Sequence, residues 1–171
     1  YAFTRVRTGA YSVRVRLPGG EIFTMTPEGG ESRIAQQDAS VAQTQPMALE
    51  MGAAIEGVNA GAIVPATIEG SAFIDRDEDG LRGEGEEALG GVLVELLTGG
   101  TVVASRSTDE QGAFVFDTLR PGSYRLRVAL PDGYLFGREV ALSLQHADDA
   151  QGESEGLQVD MGGSIDGLAY P

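Results

Sequence analysis

An internal repeat is the feature that most constrains how this chain of 171 residues can fold. Residues 1–23 align with residues 114–136 at an offset of 113, and ten of the 23 positions are identical. A second match, at an offset of 110, joins residues 51–57 to residues 161–167. The identical pairs include Phe3/Phe116, Gly9/Gly122, Tyr11/Tyr124, Leu17/Leu130, Pro18/Pro131 and Phe23/Phe136. One structural unit is therefore expected to occur more than once.

The two matches predict an uneven domain organisation. Residues 68–167 form one complete unit, whereas residues 1–57 correspond only to its second half and lack the portion equivalent to residues 68–113. Residues 58–67 are predicted to be a linker, and residues 168–171 to begin a further unit or form a tail. Neighbouring repeats of the same protein are then the nearest partners of the module.

The incomplete first unit is predicted to leave strand edges and an apolar face uncovered. We expect it to recruit strands from elsewhere. The source is either a second copy of the chain, which gives a strand-exchanged homo-oligomer, or the chain's own segment Leu157–Tyr170.

Alternation of apolar and polar side chains predicts an all-β fold. The segment Ser123–Leu130 alternates apolar residues with arginines, and residues 11–16 repeat that pattern. The apolar run Val92–Leu97 lies between glycine pairs and predicts a buried strand, while Gly99-Gly100 predicts a hairpin. Short strands separated by turns favour a β-sandwich.

Charge and residue inventory exclude several classes of protein. The formal net charge of −14 opposes nucleic-acid binding, which needs a basic face. No apolar run reaches about 18 residues, so this segment is not expected to insert into a membrane. The chain lacks cysteine and lysine, which rules out disulfides and lysine isopeptide crosslinks. Its single histidine, His146, lies in a polar segment predicted to be a loop, and we do not expect an enzyme.

The acidic segment from Asp75 to Glu86 predicts a calcium site. It fits the spacing D-x-D-x-D-G-x5-E, in which carboxylates at alternate positions converge on one ion. Calcium takes six to eight oxygens, and glycine at the sixth position permits the sharp turn that brings them together. The predicted ligands are Asp75, Asp77, Asp79, the carbonyl of Leu81 and Glu86. Glu84 and Glu87 are neighbours that could replace Glu86, and a solvated acidic turn is the other interpretation.

Several segments resemble the B-type repeats of serine–aspartate repeat surface proteins, which are related to the B-type modules of collagen adhesins. The resemblance begins with Gly70-Ser71-Ala72-Phe73-Ile74-Asp75 and the acidic loop. It continues through three further motifs in the same order: Thr108-Asp109-Glu110-Gln111-Gly112-Ala113-Phe114-Val115-Phe116, Leu119-Arg120-Pro121-Gly122-Ser123-Tyr124 and Leu130-Pro131-Asp132-Gly133-Tyr134. It covers nearly all of residues 68–167, and its second half recurs in residues 1–57.

This resemblance implies Ig-like β-sandwich modules, stiffened by calcium, between an adhesive head and a cell-wall anchor on the surface of a Gram-positive bacterium. We therefore expect an extracellular, non-catalytic stalk or spacer module with one calcium site at the residues named above. The alternative is a module that binds a carbohydrate or a host protein through Tyr11, Tyr124, Tyr134 and Phe136. The aromatic side chains are otherwise expected to belong to the sandwich core.

Overall fold

The computed structural model describes residues 2–24, 34–36, 38–136, 145–148 and 150–170. The chain divides into two compact units, residues 1–64 and residues 65–171. Every regular element among the described residues is a β-strand, so the prediction of an all-β fold is confirmed. No helix in this described part has the length and hydropathy that crossing a membrane requires.

The second unit is a sandwich of two sheets. Its strands are β8 (Ala66–Ala72), β9 (Leu93–Thr98), β10 (Thr101–Ser107), β11 (Ala113–Leu119), β12 (Gly122–Ala129), β13 (Gln145–Asp148), β14 (Gln151–Glu153), β15 (Leu157–Val159) and β16 (Ser164–Tyr170). One sheet has the order β10-β9-β12-β14-β13, and β15 also pairs with the start of β12. The other sheet has the order β11-β8-β16.

The core of the second unit lies between these sheets, and its residues follow the predicted alternation. Phe114 and Phe116 of β11 point into it, as do Leu126 and Val128 of β12. The predicted hairpin at Gly99-Gly100 joins β9 to β10, with Thr98 opposite Thr101. Burying these side chains contributes roughly 1.5–3 kcal/mol each, which makes this layer the main source of stability.

Strand β16 lies parallel to β8 and forms one edge of the three-stranded sheet. The ladder shifts register between Ile165 and Leu168, where Gly167 has a φ of +71°. Gly70 of β8 allows the close approach of the two strands, because an added Cβ would meet the carbonyl of Leu168 and the ring of Phe114. The prediction that the first unit recruits Leu157–Tyr170 is wrong, because β15 and β16 pair with strands of the second unit.

The first unit contains shorter strands. They are β1 (Gly9–Tyr11), β2 (Arg14–Arg16), β3 (Ile22–Phe23), β4 (Ile34–Gln36), β5 (Val41–Thr44), β6 (Met47–Leu49) and β7 (Ala62–Ile63). Pairs form between β1 and β6, between β2, β5 and β4, and between β3 and β7. Strand β7 lies within the predicted linker, and β8 begins at the linker's last two residues.

The pairing of the first unit reproduces that of the second at the offsets found in the sequence. Gly9 pairs with Leu49 as Gly122 pairs with Val159. Arg14 pairs with Gln43 as Arg127 pairs with Glu153. Side-chain bonds repeat as well. The Val13 N–H donates to the Thr44 hydroxyl at 3.0 Å, and the Leu126 N–H donates to the Ser154 hydroxyl at 2.9 Å. The repeat is therefore one of structure as well as of sequence.

One predicted strand of the first unit is divided into two in the structure. Residues 11–16 alternate like one continuous strand, but β1 ends at Tyr11 and β2 begins at Arg14, whereas β12 runs unbroken. The reason lies in the ladder on the other side: β9 pairs with residues 125–129 and spans the equivalent point of β12. No strand occupies that place beside β2 among the residues described for the first unit.

Candidate metal centre

The predicted calcium loop connects β8 of one sheet to β9 of the other. Its two ends are held together, because Phe73 and Ala88 form an antiparallel bridge and the Ile74 N–H donates to the carbonyl of Glu87 at 2.8 Å. The flanking Phe73 and Leu89 side chains are buried. The two ends of the loop are therefore fixed next to each other at the edge of the core.

Three of the predicted ligands converge. Asp75, Asp77 and Glu86 each offer a carboxylate oxygen, and these atoms lie within 4.8 Å of one another. Two oxygens that each lie about 2.4 Å from a calcium ion are at most about 4.8 Å apart. Three carboxylates are hard oxygen donors of the type that calcium prefers, so the separation and the chemistry of this set both fit the ion.

Backbone amides hold two of these carboxylates in place. Asp75 accepts from the N–H of Glu78 at 2.7 Å and from the N–H of Gly80 at 3.0 Å. Glu86 accepts from the Arg76 N–H and from the Gly83 N–H, each at 2.8 Å. Glu86 therefore reaches back across the loop from its last position to its second. Hydrogen bonds to an ionised carboxylate are stronger than neutral ones, which fixes the side chain close to Asp75 and Asp77.

The glycine in the sixth position has the backbone conformation that the motif requires. Gly80 is buried and has a φ of +75°, in the region that favours glycine. Glu78, two residues earlier, also has a positive φ, of 59°. These two positive φ values curl the chain so that Asp75, Asp77 and Glu86 face one another.

The remaining two predicted ligands, Asp79 and the Leu81 carbonyl, do not belong to the three converging carboxylates. Asp79 is not part of the converging set, and its carboxylate accepts from the N–H of Leu81 at 2.7 Å. The Leu81 side chain is exposed and has no atom that could bind a cation. Its backbone carbonyl is the group that could coordinate an ion. The alternatives to Glu86 are placed elsewhere: Glu87 pairs with Arg76 at 3.1 Å, and Glu84 lies outside the converging set.

Mutual repulsion makes the loop electrostatically unfavourable without a cation. Partial desolvation in the loop raises the pKa of Asp77, and the neighbouring charges of Asp79, Glu86 and Asp75 raise it further. Like charges this close destabilise each other even in a solvated loop. The one nearby cation that pairs with the loop's acids among the described residues is Arg76, and its ion pair with Glu87 is solvent-exposed and therefore weak. Sequence reasoning missed this pair, although the arginine follows Asp75 directly.

Two aromatic residues of the alternative hypothesis, Tyr124 and Phe136, pack against the core of the second unit. The Tyr124 hydroxyl donates to the carbonyl of Arg120 at 2.8 Å, and its ring packs against the core together with Phe136. The Tyr11 hydroxyl makes the equivalent bond to Arg7 at 2.9 Å. Tyr134 is exposed at 39%. These bonds support a structural role for Tyr11 and Tyr124, whose hydroxyls bind the chain just before β1 and β12.

The prediction that His146 lies in a loop is wrong. Its backbone belongs to β13 and pairs with Gly152 of β14. Residues 145–148 thus form one arm of a short antiparallel hairpin with β14.

Comparisons with known proteins match most of the second unit to a domain family. The profile of the SdrD B-like domain family matches residues 66–164. Serine-aspartate repeat-containing protein D of Staphylococcus aureus (strain Newman) is 25% identical over 162 residues, which are 92% of this chain and 11% of that protein. Serine-aspartate repeat-containing protein F of Staphylococcus epidermidis is 26% identical over 139 residues, which are 78% of this chain and 8% of that protein.

Two further similarities lie outside the staphylococci. Colossin-A of Dictyostelium discoideum is 29% identical over 133 residues, which are 78% of this chain and 1% of that protein. The crystal structure of GBS52, the minor pilin of the Gram-positive pathogen Streptococcus agalactiae, aligns over 96% of this chain and 83% of its own, with 14% identity and a TM-score of 0.33. The chain thus spans about a tenth or less of the curated relatives named here. Because the family profile covers more than half of its residues, this chain belongs to the SdrD B-like domain family.

Proposed function

We propose that the second unit is a calcium-stabilised structural module, a non-catalytic spacer within an extracellular surface protein. The observation that carries this proposal is the convergence of Asp75, Asp77 and Glu86. They lie in a loop between two strands whose ends are joined by a β-bridge. Membership of the SdrD B-like family supports the role of a repeated structural module. A set of carboxylates at the edge of a core favours a stabilising role, since these are the hard oxygen donors that calcium binds.

Asp75, Asp77 and Glu86 would bind the ion first, and Asp79 and the Leu81 carbonyl would complete the set. Bound calcium supplies positive charge that cancels the repulsion among the carboxylates. The loop joins β8 in one sheet to β9 in the other, so clamping it restrains how the two sheets sit on each other. We expect calcium to make the loop between β8 and β9 more rigid, and we do not expect a signalling response.

The size of the effect depends on affinity. With calcium at about 1 mM and a Kd on the order of 10⁻⁵ M, binding stabilises the folded unit by about 2.7 kcal/mol. With a Kd of about 1 mM the gain falls to roughly 0.4 kcal/mol. We expect the tighter case, because the ligand-bearing side chains are already oriented by backbone hydrogen bonds.

Titration calorimetry with calcium, combined with thermal unfolding in calcium and in EDTA, tests the proposal. We expect one ion per chain and a melting temperature that rises with calcium. Asp77→Asn should abolish both effects, whereas Asp132→Asn, at an exposed acid in another turn, should abolish neither. Absence of binding, or a melting temperature that EDTA leaves unchanged, would contradict the metal role.

Membership of the family supports a proposal for the location and the partners of this module. We infer that neighbouring repeats of the same protein are the direct contacts of this module, and that the parent protein lies on the surface of a Gram-positive bacterium. Relatives in staphylococci support this source, while colossin-A shows that similar sequence also occurs in Dictyostelium. The alternative is a module that binds a carbohydrate or a host protein. The packing of Tyr124 and Phe136 against the core does not favour it, and glycan-array binding by the isolated chain would support it.

A further inference from the structure

The turn between β10 and β11 lies against both ends of the acidic loop. It comprises residues 108–112, which we call the support turn. The N–H of Ala72, at the end of β8, donates to the carbonyl of Gly112 at 2.8 Å. On the other side of the acidic loop, the Gly91 N–H donates to the carbonyl of Thr108 at 2.9 Å. One turn therefore holds the chain both where it enters the acidic loop and where it leaves it.

Hydrogen bonds within the support turn fix its shape. The Asp109 carboxylate accepts from the N–H of Gln111 at 2.9 Å and from the N–H of Ala113 at 2.8 Å. The turn also packs closely against the chain that leaves the acidic loop, because a Cβ added at Gly90 would lie 2.7 Å from the Asp109 carbonyl oxygen. Close packing of this kind leaves the two segments little room to move relative to each other.

Thr108 is the buried side chain that joins the support turn to the end of the acidic loop. It is 5% exposed, and its hydroxyl donates to the Leu89 carbonyl at 2.8 Å and accepts from the Val92 N–H at 3.0 Å. The Leu89 N–H donates to the carbonyl of Ala72 at 2.9 Å, so both backbone groups of Leu89 are bonded. Loss of the hydroxyl would leave two buried backbone groups without this partner, which favours a shift of the segment that carries them.

A shift of Leu89 would be felt at Glu86, which lies three residues earlier in the chain. The Glu86 carboxylate accepts from the N–H groups of Arg76 and Gly83, and its oxygen lies within 4.8 Å of the corresponding carboxylate oxygens of Asp75 and Asp77. Ligands must be held within about 0.5 Å of the productive geometry for a site to bind well. The affinity of the loop therefore depends on where its end is anchored.

We propose that Thr108 is a positioning residue of the acidic loop and that it sets the affinity of the loop for calcium. This inference rests on the proposed function. Thr108 contacts none of the converging carboxylates, and it acts by fixing the backbone of Leu89 and Val92. Partners of this outer kind orient the ligands of metal sites and change metal affinity without touching the ion.

Titration calorimetry of the full chain with calcium, at a temperature at which every variant is folded, tests the proposal. We expect Thr108→Val, which keeps the shape of the side chain and removes the hydroxyl, to raise the Kd about tenfold. Thr108→Ser keeps the hydroxyl, so its Kd should stay within about twofold of the wild-type value.

Ser154 provides a matched control elsewhere in the second unit. It is 4% exposed, and its hydroxyl accepts from the Leu126 N–H at 2.9 Å, as that of Thr108 does from the Val92 N–H. Its hydroxyl donates to the carbonyl of Glu155 and not to the acidic loop. Ser154→Ala should therefore lower the free energy of unfolding and leave the calcium Kd unchanged.

Amide hydrogen exchange in EDTA adds a measurement that needs no metal. The Ile74 N–H, which bonds to the Glu87 carbonyl across the ends of the loop, should exchange about tenfold faster in Thr108→Val than in Ser154→Ala. Equal exchange of this amide in the two variants would overturn the proposal. So would an equal rise of the Kd in both, because general destabilisation would then be the cause.

The wild-type titration separates this inference from the proposed function. If the wild-type chain binds calcium and Thr108→Val binds it with the same Kd, the positioning role alone is overturned. If the wild-type chain binds no calcium, the proposed function is overturned and the inference that rests on it falls as well.

Discussion

Truncation of the two equivalent phenylalanines should reveal how differently the two units use the same residue. Phe116 is buried in the core, its ring meets Phe114 edge-on with centroids 5.9 Å apart, and Arg106 lies 5.7 Å above it. Phe116→Ala removes these contacts and leaves a cavity, which costs about 3–5 kcal/mol. Phe3→Ala, at a position 72% exposed, should change the free energy of unfolding by no more than about 0.5 kcal/mol.

Urea unfolding and thermal unfolding of the full chain, followed by circular dichroism, provide the assay. A loss of 3–5 kcal/mol lowers the melting temperature of a domain of roughly 100 residues by about 12 °C or more. Hydrogen exchange at amides of β9 and β12 assigns that loss to the second unit. Comparable losses for the two variants would refute this difference in burial.

Three other predictions concern the second unit. Thr108→Val should cost about 1–3 kcal/mol in urea unfolding, because this buried hydroxyl accepts from the Val92 N–H at 3.0 Å and donates to the Leu89 carbonyl at 2.8 Å. Gly112→Ala should lower the melting temperature more than alanine at an open turn glycine does, because Gly112 has a φ of +76° and an added methyl group would meet the carbonyl of the last residue of β8. In EDTA, the contribution of Asp77 to stability should be present below the ordinary aspartate pKa and be lost as pH rises through its raised pKa. Unfolding at about pH 3 and pH 7 should show this difference, and Asp77→Asn should remove it.

Much of the fold could be predicted because its signals are local. The alternation in Ser123–Leu130 depends only on which side chains face a core, and it predicted the buried face of β12. The glycine pair at Gly99-Gly100 predicted the hairpin because few residues other than glycine accept both positive φ values, here 55° and 81°. The spacing of acids from Asp75 to Glu86 likewise indicated which carboxylates could converge.

Features that depend on distant segments could not be predicted in this way. The sequence treats Asp75, Asp77 and Asp79 alike, but hydrogen bonds across the loop bring the carboxylate of Glu86 to the first two and leave Asp79 bound to the Leu81 N–H. His146 appeared to be in a loop because its polar neighbours resemble a turn. Its strand forms only through pairing with β14.

The sequence by itself determined that the chain is all-β, that its back half occurs twice, and that an acidic loop precedes β9. Each of these depends on the order and spacing of nearby residues or on their direct comparison. The tertiary structure decided that Phe116 is core while Phe3 is surface, although the two residues are identical and occupy equivalent positions of the repeat. Burial depends on which strands arrive from elsewhere in the sequence: Phe116 is buried because residues of β8 and β9 pack with it in the core of the second unit.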